Sequence, residues 1–169
     1  FTLAALILAE TSLLAALGLQ QMLEKRHLEQ KQRAEQEMSL RRLARVAQDS
    51  TLQQNEVFLL NYLRVLKEAP EVRYAALVDE QGALRVHTLV LEGVPVIGKP
   101  WDGPAHDARG LALRPAGGGL PLQDWSLPLW KGERPAGAVH IGFDSLVLSR
   151  SVLADLSESR RPLLWAGLA

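Results

Sequence analysis

The sequence contains no cysteine. That absence removes disulfides, thiol nucleophiles and the zinc sites built from thiolates, and it is compatible with either side of a membrane. An excess of charge of one sign is missing as well. The 19 basic and 19 acidic residues cancel, so no global field draws the chain to nucleic acid or to an acidic partner. Catalytic signatures are also lacking: there is no Ser/His/Asp arrangement, no Walker loop and no phosphate-binding Gly-x-Gly-x-x-Gly. Gly117-Gly118-Gly119 leads into Leu120-Pro121 and not into a helix start, which argues against a phosphate cradle. His27-Leu28-Glu29 lacks the setting of a phosphoacceptor histidine, and no kinase, cyclase or chemotaxis output motif is present. The expectation is a chain that senses and does not catalyse, with no cofactor.

What is there begins at the ends. Residues 1–23 are mostly Leu, Ala and Ile, interrupted by Glu10-Thr11-Ser12, Gly18 and Gln20-Gln21. About 20 apolar residues cross a bilayer core, so this stretch is expected to be a transmembrane helix that begins before Phe1, with a signal peptide as the competing reading. Glu10 within it would face a protein interior or sit neutral near the interface. Arg160-Arg161 precedes Pro162-Leu163-Leu164-Trp165-Ala166-Gly167-Leu168-Ala169, which reads as the start of a second span. Two spans bracketing one domain is receptor architecture. The organisation expected is a span over 1–23, a helical stalk plus domain over 24–161, and a second span from 162–169.

Between the ends, Glu24 to Arg45 is half charged, with seven basic and four acidic side chains. Pairs such as Glu29 with Arg33 and Glu37 with Arg41 have the favoured i, i+4 order, so a solvated helical stalk is expected. Apolar spacing of period 3.6 then runs through Leu40, Leu43, Ala44 and Ala47. It resumes at Leu52, Phe58, Leu59, Tyr62, Leu63 and Leu66, giving an amphipathic helix able to lie on a sheet or to pair with a copy of itself. Asp49-Ser50-Thr51 is the expected break between two helices, and Ala69-Pro70 ends the run.

The stretch Tyr74 to Thr88 is expected to be a β-hairpin, since apolar residues alternate on both sides of Asp79-Glu80-Gln81-Gly82 and Gly82 can take positive φ. A long connection, Leu89 to Gly110, follows and is the first place to look for a lid. Leu111 to Arg114 is a short strand candidate. Leu122 to Trp130 and Pro135 to Phe143 alternate and form a second hairpin through Lys131-Gly132-Glu133. Leu146, Leu148, Val152, Leu153 and Leu156 then space out as a helix running from Asp144 toward the second span.

The order long helix, hairpin, crossing loop, second hairpin, exit helix resembles the extracytoplasmic sensor domains called Cache or PDC, relatives of the PAS fold. The residues that carry the resemblance are Tyr74 to Asp79, Gly82, His87-Thr88, Gly98-Lys99-Pro100 and Gly137 to Asp144. The apolar stretch Leu89 to Val96 departs from the pattern, where the family usually has Asp-Pro. The resemblance implies an α+β fold, with a long N-terminal helix packed on a five-stranded antiparallel PAS-like sheet and transmembrane helices on either side. It further implies the sensing region of a two-component histidine kinase, working as a homodimer in a bacterial cytoplasmic membrane with the domain outside the cytoplasm.

Arg85 and His87 share a strand face by the two-residue period, and Trp101 from the long connection is placed to cover them. A guanidinium fork, an imidazole and an aromatic wall suit a small carboxylate, against the alternative that both residues face solvent or a helix. Trp125 and Trp130 fall on opposite parities, one for the core and one for a pocket or dimer contact. His140 opposes Val139 and Ile141, so it faces a cleft or a helix, or is a hydrogen-bonded structural histidine. The ligand-binding residues expected are Arg85, His87, Trp101, Trp125 and His140. His87, Asp102, His106 and Asp107 offer metal-type donors, but their spacing is not specific, and no metal is expected. Two other classes stay open: a ligand-free dimerisation or protein-contact domain, and a membrane-anchored hydrolase or transferase.

Overall fold

The computed structural model describes residues 2–53, 56–104, 110–115 and 121–166; within these, the side chains of 2–14, 17, 51–53, 114, 115 and 158–166 lie outside the described set. The chain divides into two compact units, Glu35–Ser149 and a second made of Phe1–Ala34 and Arg150–Ala169. It is an α+β protein with a long N-terminal helix and one five-stranded antiparallel sheet.

Helix α1 runs unbroken from Thr2 to Gln53. The break expected at Asp49-Ser50-Thr51 therefore lies farther on, before α2 (Val57–Glu68). Ala47 and Ser50 are buried, and packing of that face outweighs the preference of Asp, Ser and Thr for helix ends. Of the ion pairs anticipated on α1, Glu37 meets Arg41 at 2.7 Å, whereas Glu29 meets Lys25 at 3.9 Å. Exposed pairs of this kind contribute ~0.3–0.5 kcal/mol. A fully buried leucine contributes roughly 1.5–3 kcal/mol, so Leu40 and Leu43 decide where α1 sits on the sheet. Helix α2 ends where proline requires: Ala69 is extended (ψ 121°) just before Pro70.

The sheet consists of β1 (Val72–Val78), β2 (Leu84–His87), β3 (Ala112–Pro115), β4 (Leu122–Lys131) and β5 (Arg134–Asp144), in the order β2-β1-β5-β4-β3. One face packs on the helices. Leu40, Leu43, Leu59, Leu63 and Leu66 meet Ala75, Leu77, Val86, Trp125, Val139, Ile141 and Phe143 there in one apolar cluster. The opposite face carries a smaller cluster of Ala76, Val78, Leu84 and Val96.

The turn between β1 and β2 is built by Asp79, whose carboxylate accepts the N–H groups of Gln81 and Ala83, each at 2.9 Å. Gly82 has φ +80°, the conformation this turn needs. Between Leu77 and Val78 the register of the hairpin shifts: Leu77 opposes Val86 but Val78 opposes Leu84, leaving Arg85 without an opposite residue. Arg85 and His87 consequently do not share a face. The simple two-residue period fails here because a bulge adds one residue to one strand.

Strand β5 passes directly into α3 (Ser145–Ala166). Asp144 marks the junction, with one carboxylate oxygen accepting from the N–H groups of Leu146 and Val147 at 2.9 and 3.2 Å and the other from Arg73 Nε at 2.9 Å. The Arg73 guanidinium, followed by these two N–H groups, holds the Asp144 carboxyl below the usual aspartate range. In the second unit Gln32 donates to Ser151 at 3.1 Å. Among the described residues no helix is long and apolar enough to cross a membrane. The two stretches expected to do so, 1–23 and 162–169, fall largely on side chains outside the described set, Glu10 among them.

Candidate functional site

The sheet face turned away from the helices bears a cavity of about 240 Å³, lined by Tyr74, His87, Trp101, Asp102, Gly103, Pro104 and Leu122. Each wall has a local origin. His87 is the last residue of β2, where its Nδ1 accepts the N–H of Leu89 at 3.0 Å and so opens the 3₁₀ turn Thr88–Glu92. A ring nitrogen that accepts carries no proton, which places the neutral imidazole proton on Nε2. Thr88 completes the reversal by accepting the N–H of Ala75 on Oγ1 at 3.3 Å. The 3₁₀ turn is what the apolar stretch Leu89 to Val96 forms at its start. Leu91 joins the main core, while Val90 and Val96 join the smaller cluster.

Trp101 is delivered by backbone pairing. Gly98, with φ +80°, donates to Leu84 O at 2.7 Å; Leu84 N donates to Lys99 O at 2.8 Å; Trp101 N donates to Gly82 O at 2.8 Å. The segment Gly98-Lys99-Pro100 thus acts as a short extra edge beside β2. The Trp101 indole N–H donates to Pro104 O at 3.0 Å, and the ring lies so close over Gly103 that a Cβ there would be 2.1 Å from it. The ring centroids of Trp101 and His140 are 4.8 Å apart, and those of Tyr74 and His87 are 5.8 Å apart and nearly parallel, at 19°.

Beneath the cavity lies a buried polar chain. Tyr74 donates its hydroxyl to Asp124 Oδ1 at 2.6 Å, and His140 Nδ1 is 3.0 Å from Asp124 Oδ2. Asp124 and His140 are both 0 % exposed. A carboxylate is tolerated at such depth only when it is hydrogen-bonded, so Tyr74 and His140 are what allow Asp124 to stand in β4. Burial raises the Tyr74 hydroxyl pKa far above its usual value, reinforced by the hydrogen bond to Asp124 and by the charges of Asp124 and Asp102. Burial lowers that of His87, against the opposing pull of Asp102 and Glu92. The cavity therefore presents a phenol, a neutral imidazole, an indole and the Asp102 carboxylate. It offers hydrogen bonding and aromatic surface, but no activated nucleophile among the described residues.

Of the residues expected from sequence to bind a ligand, the fold brings His87, Trp101 and His140 together. Trp125 is in the core on the helix side, paired with Leu113 and Ile141. Arg85 is also on the helix side, lining a second cavity with Leu77, Leu129 and Trp130. His106 and Asp107 lie outside the described residues. Tyr74 and Asp124 are not among the ligand-binding residues expected from sequence. The signal for Asp124 was present: in Leu122 to Trp130, an aspartate alternates with Trp125 and Leu127 on a strand whose neighbours are apolar. Nothing local marked Tyr74, whose ring depends on Gly142 across the strand pair, where a Cβ would meet it at 2.2 Å.

No protein-family model matches the chain, and no curated protein matches it.

Proposed function

We propose that this chain is the signal-sensing region of a membrane receptor of the Cache or PDC type, most simply a two-component sensor histidine kinase with the domain outside the cytoplasmic membrane. In this reading the sheet is PAS-like, 1–23 and 162–169 belong to membrane spans, and the chain works as a homodimer. The observation that carries the reading is that one strand serves both ends of a signal path. Strand β5 supports two walls of the cavity from beneath, His140 against the Trp101 ring and Gly142 against the Tyr74 ring, and the same strand ends at Asp144, which caps the exit helix α3. A ligand that seats differently in two arrangements of Tyr74 and Trp101 would shift β5, and with it the start of α3.

The ligand of this cavity is best read as a small molecule bearing an amine. Among the described residues, Asp102 is the charged one in its lining, and the faces of Trp101 and Tyr74 favour a cation by the ring quadrupole. This replaces the carboxylate expected from Arg85 with His87, because Arg85 lies on the other side of the sheet. For the homodimer, α2 supplies an apolar outer surface: Val57, Phe58 and Val65 are each more than 60 % exposed, opposite the buried Leu59, Leu63 and Leu66. A second copy of the same helix is the occupant that the homodimer reading places there.

A thermal-shift screen of the full chain in lipid nanodiscs, with panels of small amines and of small carboxylates, tests the ligand. An amine that raises Tm in the parent and not in Trp101→Ala or Asp102→Asn supports the reading, since binding to the folded state alone stabilises it by mass action. A panel with no stabilising amine would favour the protein-contact alternative.

A further inference from the structure

The second cavity, on the helix side of the sheet, has a chemistry of its own. It measures about 190 Å³ and is lined by Gln48 of α1, Leu77 of β1, Arg85 of β2, Leu129, Trp130 and Lys131 of β4, Gly132 of the turn and Ala136 of β5. Its walls are apolar: Leu77 and Leu129 are buried, and Ala136 packs on the same core. Its charges are of one sign. Arg85 and Lys131 are exposed cations, no carboxylate is among the lining residues, and among the described residues neither cation takes part in an ion pair. Trp130 stands beside them with 42 % of its surface in solvent.

The frame is firmly made. The Gln48 side-chain amide donates to Trp130 O at 3.2 Å, which ties α1 to the end of β4. The register shift between Leu129 and Trp130 and the φ of +65° at Gly132 shape the turn beside it. Arg85 and Lys131 both line one small, largely apolar hollow, which suits an anion whose apolar part covers Leu77, Leu129 and Trp130.

We propose that this cavity is a binding site for an amphiphilic anion, a single negative head on a short apolar tail. Arg85 supplies a fork for the head and Lys131 a second cation, while Leu77, Leu129, Ala136 and the Trp130 indole enclose the tail. Sites for drug-sized molecules occupy roughly 300–1,000 Å³, so about 190 Å³ limits the tail to a short chain. The site does not depend on the sensor reading, and it is distinct from the cavity over Tyr74. Because Gln48 is part of its wall, a ligand here touches the long helix directly.

Isothermal titration of the full chain in nanodiscs with octanoate tests the proposal, with octylamine as a control of equal length and opposite charge that reports partition into lipid. Saturable octanoate binding, weakened roughly tenfold by Arg85→Gln and further by adding Lys131→Gln, is expected. Both positions are exposed, and unchanged circular dichroism will show that the variants fold. Ala136→Leu, which fills the cavity without touching either cation, should abolish the same binding. Equal responses to octanoate and octylamine, or octanoate binding that survives the double charge variant, would overturn the assignment, as would an absence of saturable binding.

Discussion

Tyr74 and Asp124 are separated by 50 residues in sequence and joined by a 2.6 Å hydrogen bond, and the energetics of the site follow from that contact. Removing the hydroxyl leaves one oxygen of a fully buried carboxylate without its donor. Tyr74→Phe is therefore expected to lower stability by ~1–3 kcal/mol, read as a reduced urea midpoint at unchanged m-value. His87 carries a second, pH-dependent signature. Its folded pKa lies below the unfolded value of 6.5, so the unfolded chain binds the proton more readily. The stability tied to the neutral imidazole is complete above that value and is lost as the pH falls below it toward the folded pKa. His87→Asn keeps an acceptor for the Leu89 N–H but cannot titrate. Comparing melting curves from pH 8 to pH 5, the parent should lose stability faster than this variant below pH 6.5. Parallel curves would show that His87 is not desolvated as described.

Among the elements, β5 is the most constrained. Gly142 gives Tyr74 its place: a Cβ there would stand 2.2 Å from the ring, well inside contact distance, so either the ring or the strand must move. Gly142→Ala is expected to cost ~1–3 kcal/mol by overpacking. The same change made with Tyr74→Leu should cost clearly less than the sum of the two single changes, since the clash partner is gone. Additive costs in denaturant melts would place the strain elsewhere. Helix α2 shows the complementary case, an element settled on one side only. Its inner leucines are buried in the core and its outer Val57, Phe58 and Val65 are exposed. If a second copy covers them, Phe58→Glu should convert a dimer to a monomer in sedimentation velocity without lowering the melting temperature of the monomer.

For the molecule as a whole, β5 runs directly into α3, and in the proposed sensor reading a shift of the sheet would pass into that helix. Leu153 lies within α3, 61 % exposed, where a proline removes an intrahelical hydrogen bond and clashes with the preceding turn, a loss of ~3 kcal/mol in helix formation. In a receptor carrying its output domain, Leu153→Pro is expected to leave ligand-induced thermal stabilisation intact while output no longer responds to ligand. Output that still follows ligand in this variant would remove α3 as the route. The two cavities lie on opposite sides of one sheet, so an amine over Tyr74 and an anion beside Arg85 would act through the same strands β1 and β4.

Local pattern by itself determined the elements: the Tyr74 to Thr88 hairpin, the alternating strands of the second hairpin, the end of α2 at Ala69-Pro70 and the start of the exit helix at Asp144. Each of these depends on residues within a few positions of one another, through side-chain period, turn chemistry or the restriction before proline. His140 was legible by its parity opposite Val139 and Ile141, and His87 and Trp101 as an imidazole near a strand end and an indole in the long connection. Only the tertiary structure decided which of them meet. A one-residue bulge beside Leu77 sent Arg85 to the helix side, packing carried α1 through Asp49-Ser50-Thr51, and the buried partners of Asp124 come from β1 and β5. Register shifts and contacts between distant strands are set by the packed core as a whole, and no local run of residues records them.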